Sequence, residues 1–372
     1  MFVHTGDYTE HKRDDIIDST YYTFKPLPLM DGIFHTMDDD LAVLLTKAHH
    51  SLGVLEGMTS FAADREALAA LTLFRESCFS KMIDYPDSDI RSVLAKQGAG
   101  NPNRDIQNIV SAYHYALEMS TQKLSYNSLI NHALTGNDPK QKVAVRSTPL
   151  FLKQSTSNYR QYNPTAPDVI RSALADVDRY IESSSADALI KAAMCHYQFE
   201  MIHPYECYNG IVGRILPYHI LYNANISGVC FCSISTSLYR RKTEYFDKLS
   251  STQKSGNYMA WIDFFVRILD EAAQEGIEFI QYYKSATKHD EEKILMRHHN
   301  PADGVLAVYR HFKRRIISNI RYASEQTNLS FKTVSRSVSI LQGLGILLQT
   351  TQNSRNRLFA HAGLLERLMS SE

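Results

Sequence analysis

The sequence predicts a mainly helical protein that carries one β-hairpin and ends in a small separate domain. Three observations lead to this prediction. Most of the chain repeats apolar residues at the helical spacing of three and four, one short segment alternates like a β-strand, and the hydrophobic pattern changes after residue 294. The 372 residues, 44% of them apolar, are enough for two or three domains with their own cores.

The N-terminal and central parts are expected to be almost entirely helical. An aromatic, proline-bearing stretch at 20–33 is interpreted as an extended lead-in rather than an element. Acids at 38–40 mark the start of the first helix, which Gly53 and Gly57 then punctuate. Apolar periodicity predicts further helices at 64–84, 105–123, 167–183, 186–202, 212–226, 237–250 and 259–284.

The segment 142–153 gives the clearest β pattern in the chain. Val143 and Val145 lie at alternate positions before a Ser-Thr-Pro turn, and Leu150 and Leu152 lie at alternate positions after it. Alternation on both sides of a turn is typical of a β-hairpin. We therefore predict a hairpin here.

The hydrophilic stretch 285–294 is predicted to be a domain boundary, and a helix-turn-helix candidate with a hairpin follows it. Its elements are a helix at 320–327, a turn at 328–330, a helix at 331–342, a strand at 346–348 and a return strand at 358–359. This order is typical of a winged helix. The predicted domains are 1–104, 105–285 and 293–372.

Composition argues against several classes of protein. Five cysteines, an odd number without C-x-x-C spacing, argue against a disulfide framework and a zinc site and fit a reducing cytoplasm. The sequence has no run of about 18 apolar residues and no hydrophobic N-terminal stretch, so we expect neither a membrane span nor a signal peptide. A soluble, cytoplasmic protein is predicted.

The formal net charge of zero hides an uneven distribution. Residues 293–372 contain 12 Lys and Arg against 4 Asp and Glu, a charge of +8, which leaves −8 for residues 1–292. A basic domain can bind the phosphates of nucleic acid. Duplex DNA is therefore a candidate partner.

One loop contains the residue types that phosphate chemistry needs. Pro204 ends a helix directly after His203, and Gly210 permits a close approach of the backbone before the next helix. The N–H groups at the start of that helix would bind an anion. His203 could then act as a general base, and Arg214 could contact an outer phosphate. The alternative is a helix corner in which His203 caps a helix and Arg214 forms a surface ion pair.

The segment 199–214, FEMIHPYECYNGIVGR, resembles the active-site motif of the Fic family, H-P-F-x-(D/E)-G-N-G-R-x-G-R. The likeness extends over nearly the whole chain, since FKPLPL at 24–29 and AHHSLGVLEG at 48–57 are similar to the N-terminal extension of many members. It implies a Fic-type helical domain over 105–285, preceded by a helical extension over 1–104. The C-terminal part resembles the winged helix that some members carry.

The resemblance implies a protein adenylyltransferase, which transfers AMP from ATP to a hydroxyl of a target protein or of the chain itself. His203 would take the proton of that hydroxyl. The phosphates would be bound by Asn209, Gly210, Gly213 and Arg214. The hairpin would act as a flap that adds a strand to the target, through Val143, Val145 and Arg146.

Three positions depart from the motif. Cys207 stands where the family has its Mg²⁺-binding acid, and a thiol is a poor ligand for that metal. Tyr208 replaces a glycine, at a cost of roughly 1–2 kcal/mol if its φ is positive. Ile211 replaces the first arginine and removes bonds of about 1.5–3 kcal/mol each. We therefore expect ATP as ligand, no Mg²⁺ held in the usual way, and weakened activity. The alternative is an inactive pseudo-enzyme that regulates through DNA.

Relatives with such an extension carry an inhibitory helix with the pattern (S/T)-x-x-x-E-(G/N), whose Glu pairs with the second arginine. The match found here is LGVLEG at 52–57, which implies an ion pair between Glu56 and Arg214, with Gly57 following. Alternatively, Glu56 is a solvated acid near a helix end that Gly57 caps.

The C-terminal domain offers side chains of the types that contact DNA. The predicted recognition helix and wing present Lys332, Thr333, Ser335, Arg336 and Arg355. The alternative is a protein-docking or dimerisation module, which leaves a homodimer open. The basic run 313–315 is predicted to be a solvated helix face.

Overall fold

The structure is a computed structural model, and it describes residues 5–12, 20–29, 39–86, 90–119, 122–150, 162–297, 303–351 and 357–370. These residues are mainly helical, as the sequence predicts. Among the helices so described, none combines the length and apolar character that crossing a bilayer requires. The predicted residues Leu152 and Arg355 lie outside the described ranges.

The N-terminal part forms a two-stranded sheet followed by five helices. The elements are β1 Gly6–Lys12, β2 Thr20–Pro26, α1 Asp39–Ser60, α2 Arg65–Asp84, α3 Ile90–Gly98, α4 Arg104–Glu118 and α5 Tyr126–Thr135. β1 and β2 pair antiparallel with Gly6 opposite Pro26. The prediction of an extended lead-in without an element is therefore wrong for β2. Its partner β1 is too polar to be recognised as a strand from its sequence.

Helix α1 runs through both glycines that were expected to punctuate it. Leu52 and Leu55 are buried, and α1 packs against the long helix α11 (Tyr258–Arg297). A glycine inside a helix costs about 1 kcal/mol relative to alanine, which is less than the burial of one leucine contributes. Gly57 does not cap the helix either, because α1 continues to Ser60.

The central part is a cluster of helices around α7 and α8. Its elements are α6 Ile170–Ser183, α7 Ala188–Ile202, α8 Asn209–Asn223, α9 Ile234–Arg240, α10 Lys242–Ser255 and α11 Tyr258–Arg297. The indole of Trp261, fully buried on α11, donates to the carbonyl of Ala193 on α7 at 2.8 Å. Nearly every residue of α7 and α8 is buried, so these two helices form the centre of the main core.

The predicted boundary 285–294 is helical, since it forms the last part of α11. Thr287, Asp290 and Ile294 are buried at spacings of three and four, while the charged residues between them are mostly exposed. The buried face includes polar residues, so the sequence pattern resembled a linker. Ile294 belongs to a second apolar cluster that the C-terminal residues form.

The predicted hairpin at 142–153 is not a hairpin in the part that the structure describes. Residues 141–150 contain no strand. The backbone N–H of Arg146 donates instead to the carbonyl of Pro204 at 2.9 Å. Val143 and Val145 are half-buried against the main core. In the described part of this segment, the two valines thus pack on the main core and take part in no strand pairing.

The C-terminal part contains four helices and a three-stranded sheet. The elements are α12 Asp303–Arg315, β3 Ile317–Asn319, α13 Ile320–Thr327, α14 Phe331–Gly343, β4 Leu347–Gln349, β5 Leu358–His361 and α15 Ala362–Met369. The strand order is β3-β5-β4, with both pairs antiparallel. The prediction that 313–315 is a solvated face is wrong for Lys313, which is buried and pairs with Asp64 at 2.8 Å.

A fully buried carboxylate on α2 joins three helices. Glu76 accepts hydrogen bonds from the Tyr113 hydroxyl at 2.7 Å, from the Ser235 N–H at 2.8 Å and from the Ser235 hydroxyl at 2.5 Å. The Ser233 hydroxyl adds a fourth bond at 3.2 Å. Burial raises the pKa of Glu76, and the surrounding hydrogen bonds oppose that rise. Every one of these partners donates, so both carboxylate oxygens are needed as acceptors.

We predict that Glu76→Gln lowers the free energy of unfolding by about 1–3 kcal/mol, because the amide nitrogen cannot accept the bonds that one oxygen accepts now. Urea unfolding followed by circular dichroism measures the change. Glu66→Gln, on the same helix but exposed, is the control and should have little effect. Equal stability of the two variants would contradict the prediction.

Candidate active site

A sharp loop, residues 203–208, connects α7 to α8. His203 ends α7 with φ 49° and Tyr208 precedes α8 with φ 63°, so both residues adopt the left-handed conformation. The positive φ considered for Tyr208 is therefore present. Asn209 closes the loop, because its amide donates to the Tyr205 carbonyl at 2.7 Å and accepts from the Tyr205 N–H at 2.8 Å. Its side chain thus shapes the loop.

The His203 imidazole is held against the end of α7. The side chain is 5% exposed, and its Nδ1 lies 3.1 Å from the Glu200 carbonyl oxygen and 3.8 Å from Glu200 Oε2. A carbonyl oxygen can only accept, so this contact requires a proton on Nδ1. In the neutral ring Nε2 then carries the lone pair, which is the form that a general base needs.

Arg214 lies on α8 and is buried, with 1% of its surface exposed. Its Nε donates to the Ser80 hydroxyl at 3.0 Å, and its Nη2 donates to the Ser80 carbonyl at 2.8 Å and to Asp84 Oδ2 at 2.6 Å. Burial disfavours the charged guanidinium, but Asp84, together with Tyr245 and Glu200, outweighs this effect and raises the pKa of Arg214. The alternative of a surface ion pair is therefore wrong.

Asp84 occupies the position that was predicted for a bound anion. A Cβ placed on Gly210 would lie 2.6 Å from Asp84 Oδ2 and 2.8 Å from Arg214 Nη1. The carboxylate therefore lies against the first turn of α8, where the helix dipole favours negative charge. Only glycine at position 210 leaves space for it.

The predicted pair between Glu56 and Arg214 is wrong, since Asp84 makes it instead. Glu56 is on α1, whose contacts are with α11 and with the turn at 227–231. The sequence contained a signal that was missed. Ser80 and Asp84 are four residues apart, as in the inhibitory pattern, but Asp replaces Glu and Tyr85 replaces the small residue.

Gly213 has a packing role rather than a contact with this anion position. A Cβ on Gly213 would lie 2.5 Å from Glu200 Oε1 and 3.3 Å from His196 Nδ1. Glycine therefore permits the close approach of α7 and α8. Ile211 is fully buried in the main core, so the first arginine of the motif is replaced by an apolar core residue.

The available donors do not fit Mg²⁺. Cys207 is exposed as a residue, although its thiol is partly buried. This partial burial, together with the charge of Glu206, raises the pKa of the thiol. The thiol therefore stays protonated, and a protonated thiol is a poor metal ligand. Glu206 Oε1 accepts a bond from the Thr148 hydroxyl at 3.3 Å. Within the described ranges no group of three His, Cys, Asp or Glu side chains could hold a metal ion.

Two tyrosines lie beside the anion position. The rings of Tyr85, which follows Asp84, and Tyr208 are 5.6 Å apart at a tilt of 49°. Burial raises the pKa of the Tyr208 phenol. This contact connects the end of α2 to the loop that precedes α8.

Arg146 is buried beside the same loop, although the sequence assigned it to a flap. Its Nε donates to the His203 carbonyl at 2.8 Å and its Nη1 donates to the Thr148 carbonyl at 2.9 Å. Val143 and Val145 are near it in the chain but pack on the core.

Four of the five candidate DNA-binding residues, all except Arg355, belong to α14. Lys332, Thr333 and Arg336 are exposed, and Ser335 is half-buried. The Thr333 hydroxyl lies 2.8 Å from that of Ser330, so it takes part in the start of the helix.

This chain is similar to known proteins in part of its sequence and in its fold. The model of the Fic/DOC family matches residues 129–221, which run from α5 into α8 and include both His203 and Arg214. The crystal structure of a Fic family protein from Desulfovibrio desulfuricans G20 is similar to this chain at a TM-score of 0.57 and 15% identity. That similarity covers 88% of this chain and 98% of the other, and it shows the fold.

Two further solved structures are less similar. A Fic domain containing signaling protein from Bacteroides thetaiotaomicron VPI-5482 has 16% identity and a TM-score of 0.46, over 64% of this chain and 97% of the other. Fic-1 from C. elegans, residues 134–508, has 18% identity and a TM-score of 0.45, over 67% and 74%. The fold assignment depends on the Desulfovibrio protein, because these two scores lie below 0.5.

His196 lies in the main core, where burial disfavours the charged form of its imidazole. It is fully buried on α7, with Nδ1 2.8 Å from the Gly213 carbonyl and Nε2 3.0 Å from the Tyr245 hydroxyl. Burial lowers the pKa of His196 to about 3. The unfolded chain therefore binds a proton here between about pH 6.5 and pH 3 that the folded protein does not bind.

We predict that the stability that neutral His196 contributes is lost as the pH falls from about 6.5 towards 3. Between pH 7 and pH 5 the free energy of unfolding should fall by about 2 kcal/mol more in the parent than in His196→Gln. Urea unfolding at the two pH values measures the difference. His114→Gln, an exposed histidine, should behave like the parent. Identical pH dependence in parent and His196→Gln would contradict the lowered pKa.

Proposed function

Because residues 129–221 carry a Fic/DOC family domain, we propose that the chain binds ATP at the start of α8 and transfers AMP to a hydroxyl of a target protein or of itself. One observation carries the proposal. Arg214 Nη1 is buried beside Gly210 and has no hydrogen-bond acceptor among the described residues. Buried donors without acceptors are rare. A phosphate oxygen would supply the missing acceptor.

The Asp84 carboxylate supports the same site. It already lies against the first turn of α8 and pairs with Arg214, so this position accepts an anionic oxygen. The phosphates of ATP would use the same guanidinium and the same N–H groups. ATP and Asp84 therefore compete, and the described state is an inhibited one. The last turn of α2 must release Asp84 before the phosphates can bind.

His203 is the proposed general base. Its Nε2 takes the proton of the attacking hydroxyl, whose oxygen forms a bond to the α-phosphorus. The bond from that phosphorus to the oxygen bridging the β-phosphorus breaks, and pyrophosphate leaves. Arg214 and the α8 N–H groups stabilise the charge on the leaving group. Mg²⁺ enters no step here, since Cys207 and Glu206 do not provide its ligands.

We predict that Asp84→Ala binds ATP at least about tenfold more tightly than the parent, a gain of about 1.4 kcal/mol, because the competing carboxylate is gone. Calorimetry with and without Mg²⁺ measures the affinity. Glu56→Gly is the matched control, since it removes an acid that does not contact Arg214, and it should bind like the parent. If Asp84→Ala binds ATP no better than the parent, the competition is wrong.

The same variant tests the chemistry. When Asp84→Ala is incubated with ATP labelled at the α-phosphate, labelled AMP should become attached to the variant itself or to a protein of a lysate. Adding His203→Ala should abolish labelling while ATP affinity is retained, because His203 acts on the hydroxyl and not on ATP. Labelling that persists without His203 would exclude it as the base.

A second function, DNA binding, is supported by the C-terminal part. The order of α12, β3, α13, α14, β4 and β5, with the strand order β3-β5-β4, supports the proposed winged helix. Lys332 and Arg336 are exposed on α14, the helix in the place of a recognition helix. In this proposal α14 enters the major groove of duplex DNA.

We predict that the chain binds a fluorescent DNA duplex at low salt and that Lys332→Ala with Arg336→Ala weakens binding. Each lost phosphate contact should lower the slope of log affinity against log salt by roughly 0.9. Fluorescence anisotropy over a salt series measures both quantities. Arg171→Ala with Lys288→Ala removes the same charge from exposed positions elsewhere and serves as the control. Absence of binding at the lowest salt would refute this function.

A further inference from the structure

We infer that Arg146 is a positioning residue for His203. Its buried guanidinium binds the carbonyl groups at the end of α7 and fixes the backbone from which the imidazole projects. The inference rests on the proposed function only in treating His203 as the base. The contacts themselves are independent of any activity, and so is the decisive measurement.

Three contacts join Arg146 to consecutive residues of the loop. Its Nε donates to the His203 carbonyl at 2.8 Å, and its Nη2 lies 3.4 Å from the Ile202 carbonyl. Its backbone N–H donates to the Pro204 carbonyl at 2.9 Å. One residue thus binds the peptide groups before, at and after the left-handed turn.

The remaining donors bind the chain on both sides of the loop. Nη1 donates to the Thr148 carbonyl at 2.9 Å, and Nη2 donates to the Thr165 carbonyl. The side chain is 3% exposed, and its hydrogen-bond partners are all main-chain oxygens. The guanidinium thus connects three segments of the chain, at residues 148, 165 and 202–203.

The chemistry of a helix end explains why a cation is needed here. The last carbonyls of a helix lack partners within the helix and form its negative pole. His203 is also left-handed, a conformation that is unfavourable for a residue with a side chain. Bonds to the carbonyls of His203 and Pro204 oppose rotation out of it. A planar fork directs its donors at separated oxygens in fixed directions, whereas an ammonium group carries all its donors on one atom.

The charge state agrees with this role. Burial lowers the pKa of Arg146 to about 10, so the guanidinium remains protonated at neutral pH. Because the group is buried, it does not project towards a target segment. This differs from the strand-aligning role that the family resemblance implied.

The test uses Arg146→Met, which keeps an apolar stem and removes the side-chain donors. Hydrogen exchange of the full chain, read by mass spectrometry, should show amides of 203–210 exchanging at least tenfold faster. Amides of α11 should be unchanged. Arg146→Lys, with one compact cation, should show an exchange rate at 203–210 between those of the parent and Arg146→Met. Arg171→Met should exchange like the parent.

Chemical rescue separates positioning from general stabilisation. Arg146→Ala leaves a space of the right shape for a guanidinium ion, so millimolar guanidinium chloride should slow exchange at 203–210, and an equal concentration of sodium chloride should not. If that variant does not fold, Arg146→Met and Arg146→Lys decide the question. Unchanged exchange at 203–210 overturns the inference, as does equal acceleration in α11.

Activity adds a second readout in the Asp84→Ala background. Arg146→Met should lower the rate of labelling at least tenfold and change ATP affinity less than twofold, since Arg146 acts through His203. A loss of ATP affinity equal to the loss of rate would overturn the assignment. If Asp84→Ala never labels any protein, the proposed function fails, and the exchange experiment still decides the role of Arg146.

Discussion

The ion pair between Arg214 and Asp84 is the interaction on which the rest of the site depends. A guanidinium buried at the centre of a helical core is costly unless an acid and further acceptors accompany it. Asp84 and Ser80 supply them from α2, which packs against α8. Glu76, one turn before Ser80, fixes the same helix to Tyr113 and Ser235. The contact that is proposed to inhibit the site is therefore also part of the packing between α2 and α8.

The loop between α7 and α8 joins two helix ends of opposite polarity. The end of α7 presents carbonyl oxygens, and the start of α8 presents N–H groups. The chain places a cation, Arg146, at the first and an anion, Asp84, at the second. His203 lies between them. Its imidazole is held by Glu200 of α7, and its carbonyl is bound by Arg146, which is distant in the sequence.

Much of the fold could be predicted because burial repeats with the helical period, as in α14, where Val334, Val338 and Leu341 are buried. The pairing of a strand with a polar partner strand could not be predicted in this way, and β2 was therefore missed. The family motif located His203, Gly210 and Arg214 within one segment. The partner of Arg214 lies 130 residues away, and a pattern within one helix does not reveal which helix faces the site. Glu56 matched the pattern better than Asp84, but only the packing of α2 against α8 decides between them.

The long helix α11 contributes residues to both apolar clusters of the molecule. Its 40 residues span about 60 Å. Trp261 near its start belongs to the main core, and Ile294 near its end belongs to the C-terminal one. His361 of β5 also contacts Asp290 on this helix at 2.9 Å. Ile317 of β3 and Leu364 of α15 pack directly in the main core, so the C-terminal part is held by side-chain packing as well as by this helix. If α14 binds a large partner, as proposed above, this packing would hold that partner in one orientation relative to the His203 loop.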